Sequence, residues 1–253
     1  MIQLRNVSKS YDGKKNAVNN LTLDINDGEI FGFLGPNGAG KTTTLKLITG
    51  LLAPDAGSCL INGFDIALNA VEAKRQFAFV PDNPEVFTRL KAIEYLRFIG
   101  DVYDVDKTTR ETRVADLARK FGINGELGQQ IKTFSHGMQQ KLILVGALLH
   151  DPEAWILDEP MTGLDPASSF TLKTMMREHA DAGKTVLFST HVLDVAEKVC
   201  DRIGIIDDGN LIFTGTVSEL RARYKDDSSL ESLFLRLVND TENAANGGLS
   251  EGQ

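Results

Sequence analysis

Gly35-Pro36-Asn37-Gly38-Ala39-Gly40-Lys41-Thr42 decides how the rest of the chain is read. Two glycines frame four residues, and a lysine and a threonine follow the second, the spacing of a loop that wraps phosphate. The apolar run Ile30-Phe31-Gly32-Phe33-Leu34 before it reads as a buried strand. Thr43 to Thr49 after it reads as a helix, closed by Gly50 with Pro54 just beyond. A structural turn is the competing reading, and the strand-loop-helix context favours phosphate. In that context backbone N–H groups turn inward and the helix N-terminus adds partial positive charge. Lys41 is then placed to reach the β- and γ-phosphates of a nucleotide, and the Thr42 hydroxyl to ligate Mg²⁺.

A second constellation lies downstream. The apolar strand Trp155-Ile156-Leu157 ends in Asp158-Glu159. Beside a phosphate loop, a carboxylate at the end of a neighbouring strand holds Mg²⁺ through water. A second carboxylate next to it can polarise the attacking water, so Asp158 is assigned to metal and Glu159 to general base. Alone, two acids after a strand are more often a solvated strand end; the upstream loop reverses that balance.

The sequence around these stretches alternates between strand and helix periods. Ile2–Val7 and Leu21–Ile25 alternate apolar and polar residues, and Leu60–Gly63 adds a strand and turn, which predicts a small antiparallel sheet beside the loop. Gln76–Val80 reads as a core strand stopped by Pro81. Helical periods over Phe87–Tyr103, Thr108–Phe121 and Gly137–Leu149, the last with Ser135 as N-cap, predict a helical insertion over about residues 83–150. Strand-like runs at Ala154–Leu157 and Thr185–Ser189 flank a helix over Phe170–Ala182, and Ile203–Phe213 reads as a hairpin. The expectation is an α/β fold: a parallel core sheet around the phosphate loop, an antiparallel side sheet and a helical subdomain.

The 253 residues suit one large α/β domain, and 42% hydrophobic with 25% charged residues is ordinary globular composition. The longest apolar run, Leu142–Leu149, spans eight residues, against the ~20 a membrane-crossing helix needs. No cationic-then-apolar leader opens the chain, so a cytoplasmic protein is expected unless a partner holds it at a membrane. Cys59 and Cys200 are isolated and read as small buried apolar residues. The net charge of −8 argues against nucleic acid as a partner. From Asp226 onward six acidic residues stand against one basic residue, so the tail carries −5 of it. The expected division is a domain over 1–225 and an acidic, partly disordered tail over 226–253, with a short helix over Leu230–Val238 and a solubilising role.

At Phe134-Ser135-His136-Gly137-Met138-Gln139-Gln140-Lys141 the chain resembles the nucleotide-binding subunits of ABC transporters, whose signature there is usually Leu-Ser-Gly-Gly-Gln. Ser135 and Gly137 keep their places; His136 and Met138 replace a glycine and a glutamine. A serine hydroxyl and the N–H groups of a helix start still form an anion site. Gly163-Leu164-Asp165 looks like the family's loop across the dimer seam, His191 like its switch histidine, and Tyr11 like the aromatic that stacks on adenine. The resemblance covers about residues 1–220. It implies ATP and Mg²⁺ as ligands, ATP held by Tyr11, Gly35, Pro36, Asn37, Gly38, Ala39, Gly40, Lys41, Thr42 and Thr43, and by Ser135, His136, Gly137 and Asp165 of the facing subunit. It implies Glu159 and His191 as catalytic residues and Thr42, Asp158 and Asp82 at the metal. Asp82, after Pro81, is a departure, since the family usually carries glutamine there.

The resemblance further implies a homodimer or heterodimer of ATP-binding subunits. It implies a separate transmembrane permease docked beside Asp82–Leu96, and a place on the inner face of the cell membrane. The signature variant and the short chain are similar to the ATPases of type 2 ABC exporters, such as antibiotic-export and Ecs-like systems, so export is expected over uptake. A translation-factor ATPase would carry two such domains, and a DNA-maintenance ATPase a long coiled coil before the signature. A nucleotide-sensing regulator without turnover is the third alternative, motivated by Asp82.

Overall fold

The computed structural model describes residues 1–82, 87–226 and 228–247, with side chains described to residue 241. The chain opens with β1 (Ile2–Ser10), β2 (Asn16–Ile25), β3 (Ile30–Leu34), α1 (Lys41–Ile48), β4 (Ala56–Ile61), β5 (Phe64–Asp65), α2 (Ala70–Arg75) and β6 (Phe77–Val80). The helical stretch follows as α3 (Ala92–Val102), α4 (Lys107–Lys120) and α5 (His136–Leu148). The rest is β7 (Ala154–Asp158), α6 (Pro166–Asp181), β8 (Thr185–Thr190), α7 (Leu193–Val199), β9 (Arg202–Asp207), β10 (Asn210–Gly215), α8 (Val217–Tyr224) and α9 (Leu230–Gly247).

Two sheets form. One is antiparallel, in the order β2-β1-β4-β5, and the other runs β10-β9-β3-β8-β7-β6. In the second, β3 lies parallel to β8 and β9, and β7 parallel to β6 and β8; only β10 turns back. Every residue of β3, β7 and β8 is buried, as parallel strands covered on both faces must be. One face meets the helical side through Leu142, Leu144, Leu157 and Phe188. The other meets the antiparallel sheet through Phe31, Phe33, Ile156 and Leu187 against Ile2, Leu4 and Ile25. The α/β architecture is therefore the one expected from the sequence.

Parallel register fixes where the chemistry lies. Val80 pairs with Leu157, Asp158 with Ser189, and Leu34 with Thr190. The carboxyl ends of β6, β7, β8 and β3 therefore sit side by side, and Asp82, Asp158-Glu159, His191 and Gly35 all leave one sheet edge. That edge is where ligands bind in open α/β sheets.

Some boundaries differ from the sequence reading. β6 pairs with β7 alone and is an edge strand. The helix placed over Phe87–Tyr103 begins only at Ala92, because Lys91 is extended and its backbone N–H donates to Glu94 Oε2 at 2.8 Å. α6 begins at Pro166, four residues early, because Asp165 accepts from the Ser168 N–H at 2.9 Å and proline suits the first helical turn. In the tail, α9 starts at Leu230 as expected but runs on to Gly247 instead of ending at Val238, and Leu230, Leu233 and Leu237 are buried with Leu34, Ala196 and Leu220. A leucine every three or four residues gives one apolar stripe, which the polar remainder of the segment hides in composition. Residues 83–86, Asp227 and 248–253 lie outside the described residues.

Candidate functional site

A cleft of about 290 Å³ opens over the phosphate loop, lined by Tyr11, Ala17, Asn37, Gly38, Gly40, Lys41, Thr42, Thr43, Asp82 and Glu159. Its floor is the start of α1. Gly40, the residue before the helix, has φ +110, and no side chain caps the helix. The glycines serve two ends. A Cβ on Gly40 would stand 2.3 Å from the Ala17 carbonyl oxygen, and one on Gly35 2.3 Å from that of Ile206, so both let the loop press against β2 and β9. Gly38, at φ +83 with open space around it, leaves the loop's outer rim bare. Pro36 and Asn37 are exposed on that rim, while Ala39 is buried beneath it.

Lys41 is buried, and its Nζ donates to the carbonyls of Gly35 at 2.7 Å and Pro36 at 3.1 Å. Burial lowers its pKa, opposed by the charges of Glu159, Asp158 and Asp82. One cation thus sits among three carboxylates, an arrangement to which phosphate oxygens add further stabilising charge. Tyr11 is exposed at the cleft mouth, with its hydroxyl 3.3 Å from Thr43 Oγ1.

Asp158 is buried at the end of β7, and its Oδ1 accepts from the Ser189 hydroxyl at 2.5 Å. Ser189 Oγ in turn accepts from the Glu159 N–H at 3.1 Å. Glu159 holds φ +47, an uncommon conformation for a side-chain-bearing residue, and its carbonyl accepts from Thr162 N–H at 3.0 Å. Its Oε1 lies 2.8 Å from His191 Nδ1. A carboxylate only accepts, so Nδ1 carries the hydrogen and Nε2 is left for another partner. Ser189 and Ala17 are site residues that sequence reading missed. A serine inside the apolar strand Thr185–Thr190 was the available signal for the first, and nothing local marks the second.

The residues assigned to the ATP of a facing subunit gather elsewhere. Ser135, His136, Gly137 and Asp165 do not line the cleft. Ser135 Oγ caps α5 by accepting from Met138 N–H at 3.3 Å. A Cβ on Gly137 would stand 2.5 Å from the Gly163 carbonyl oxygen, and one on Gly163 2.7 Å from the His136 ring, so this helix start and the loop after β7 are in close contact. Lys141, also unassigned from sequence, sits 2.6 Å from Asp165 Oδ2 and is the main cause holding that carboxyl far below the usual range.

Among the described residues no cluster of three histidine, cysteine or carboxylate side chains could cage a metal by itself. Of the residues assigned to metal, Thr42 and Asp82 line the cleft, whereas Asp158 is buried beside the lining residue Glu159 with Oδ1 taken by Ser189; a hydroxyl with one or two carboxylates suits Mg²⁺, which completes its shell from phosphates and water. No helix among the described residues is long and apolar enough to cross a membrane.

Comparison with known proteins agrees with this geometry. The model of the ABC transporter family matches residues 18–162. The linearmycin resistance ATP-binding protein LnrL of Bacillus subtilis (strain 168) is 36% identical over 91% of this chain and 74% of its own length. The ABC-type transporter ATP-binding protein EcsA of the same organism is 35% identical over 88% of this chain and 91% of its own. Among solved structures, one of an ATP-binding subunit of an ABC transporter superposes with a TM-score of 0.90 at 34% identity, covering 94% of this chain and 99% of that one. The dimeric structure of MJ0796, a bacterial ABC transporter cassette, gives 0.78 at 26% identity, over 86% of this chain and 99% of that one.

Proposed function

Because the chain belongs to the ABC transporter family, as an ATP-binding subunit with ATPase activity, we propose that it drives a separate transmembrane permease in export. In this reading it works on the inner face of the cell membrane as a head-to-tail dimer, with a second copy or a homologue. Each ATP lies between Lys41 of one subunit and Ser135 of the other. The observation that carries this is the separation of Ser135, His136, Gly137 and Asp165 from the cleft that holds Lys41 and Glu159. One subunit supplies half of the donors aimed at the developing charge, and hydrolysis needs the other half. The dimeric form of the MJ0796 cassette supports the pairing.

Within the pocket, Tyr11 offers its ring to the adenine, and backbone N–H groups of residues 37–43 and Lys41 Nζ hold the β- and γ-phosphates. Thr42, Asp158 and Asp82 would hold Mg²⁺. When bound, that ion neutralises phosphate charge. His191 donates to Glu159 Oε1 and orients the carboxylate, so that Oε2 takes the proton from the attacking water. His191 Nε2, left without a role in that contact, would serve the γ-phosphate. Export is supported by relatives such as the Nod factor export ATP-binding protein I of Cupriavidus metallidurans, 36% identical over 87% of this chain. The permease would dock beside Asp82–Leu96, where exposed Phe87 and Phe98 stack edge-to-face at 5.7 Å and Val102 is exposed further along α3.

The test is Glu159→Gln. It is expected to keep ATP binding, to lower phosphate release by about 10²–10⁴-fold, and to accumulate ATP-bound dimers in light scattering. Normal phosphate release by that variant removes Glu159 from the catalytic role. The alternative of a nucleotide sensor rests on Asp82, which adds a carboxylate to the cleft. Steady-state phosphate release by the native chain, with and without a membrane partner, separates the two.

A further inference from the structure

We propose that Glu197, on α7, is a positioning residue for His191, and that the start of α9 belongs to the hydrolytic unit because it holds Glu197. The inference rests on the reading of Glu159 and His191 as the hydrolytic pair. Only Val192 separates His191 from the first residue of α7. A helix of seven residues has little stability of its own, so its position comes from what it packs against. Val195 and Val199 pack on the large core of the helical side. Leu193 and Ala196 pack on the opposite cluster, with Leu220 of α8 and Leu230, Leu233 and Leu237 of α9.

Glu197 is the polar tie across that second contact. Its Oε1 accepts from the Arg221 guanidinium of α8, and its Oε2 accepts from the backbone N–H of Leu230, the first residue of α9, at 3.2 Å. Both oxygens of one partly buried carboxylate are thus committed to the two C-terminal helices. The same junction lies beside the histidine, because Glu231 of α9 lines one cleft with His191, Val192, Leu193 and Asp194. Leu34, which packs in the same cluster as the α9 leucines, is the last residue before the phosphate loop. His191 is thus held from two sides, by the buried end of β8 at Thr190, whose Oγ1 accepts from the Val192 N–H at 3.0 Å, and by α7; a shift of α7 removes the second support from its 2.8 Å contact with Glu159.

The full chain carrying Glu197→Gln keeps the size of the side chain and loses the charge that Arg221 meets. Its kcat for ATP is expected to fall about tenfold, the cost of a sub-ångström misplacement of a catalytic group. Its KM for ATP should stay within about twofold, since the phosphate loop is untouched. In a His191→Ala background the same substitution should lower kcat no further, because its effect passes through the histidine. An unchanged kcat, or an equal loss with and without His191, overturns the proposal. Should Glu197→Gln fold poorly, Arg221→Gln cuts the same tie from the other side and is judged by the same comparison. Glu159→Gln measured in parallel keeps the two readings apart: if it hydrolyses normally the assignment of the pair fails, whereas its loss with an intact Glu197→Gln enzyme sinks only this proposal.

Discussion

The two helix starts that carry the anion-binding residues are built differently. α1 opens at Lys41 after a left-handed Gly40, with no side chain on its first N–H groups and one buried cation folded onto the loop's own carbonyls. α5 opens at His136 after Ser135, whose hydroxyl already accepts from Met138 N–H, and its first turn is braced by Gly163 and by Lys141 paired with Asp165. The first start has no side chain on its donors, while the second has one of them, the Met138 N–H, already taken by the Ser135 hydroxyl. Under the proposed function, the phosphate loop binds nucleotide in a lone chain, and the signature region serves the nucleotide of a facing subunit.

Lys41→Ala should break the first region alone. It removes a charge-assisted contact, so the isolated chain should lose about a hundredfold in ATP affinity by calorimetry. Ser135→Ala should spare that affinity and yet lower steady-state phosphate release at least about tenfold. If both variants weaken ATP binding by the isolated chain alike, the contrast between the regions is wrong. Asp82→Gln sharpens the comparison from inside the cleft. It removes negative charge near the γ-phosphate and should leave turnover equal or up to about threefold higher; a collapse of ATP binding would contradict its place at the metal.

The smallest effect concerns the scaffold under both regions. His150, stacked on Tyr103, and His179, stacked on Trp155, are pushed down to about 4 from 6.5, chiefly by burial. A histidine depressed in the folded state costs nothing above its unfolded pKa. As pH falls through 6.5 towards 4 the unfolded chain takes protons that the folded one refuses, and stability is lost. Between about pH 7 and pH 5 each should cost on the order of 1 kcal/mol, or about 2–4 °C in Tm. His150→Gln and His179→Gln should each flatten that slope in thermal melts; an unchanged slope would show that the rings do not resist protonation.

What the sequence could show was whatever is local or strictly periodic. Glycine spacing, an apolar strand on either side of a helix, and paired acids at a strand end are written within a few residues, so the phosphate loop, Asp158-Glu159 and the α/β alternation were legible. Short helices such as α2 and α7 were not, because six or seven residues show too little of a 3.6-residue period. The early start of α6 was written in Asp165-Pro166, but as a cap that one reads only by looking for it.

Taken by itself, then, the sequence determined the α/β class, and it nominated residues for chemistry and the strands that they end. Only the tertiary structure decided that four strands deliver Asp82, Asp158-Glu159, His191 and Gly35 to one edge, because register between strands far apart in sequence is set by packing. It alone tied Ser189 to both acids, and packed the leucines of the expected tail helix against the back of the phosphate-loop strand. Composition averages over such a helix; burial of one stripe does not.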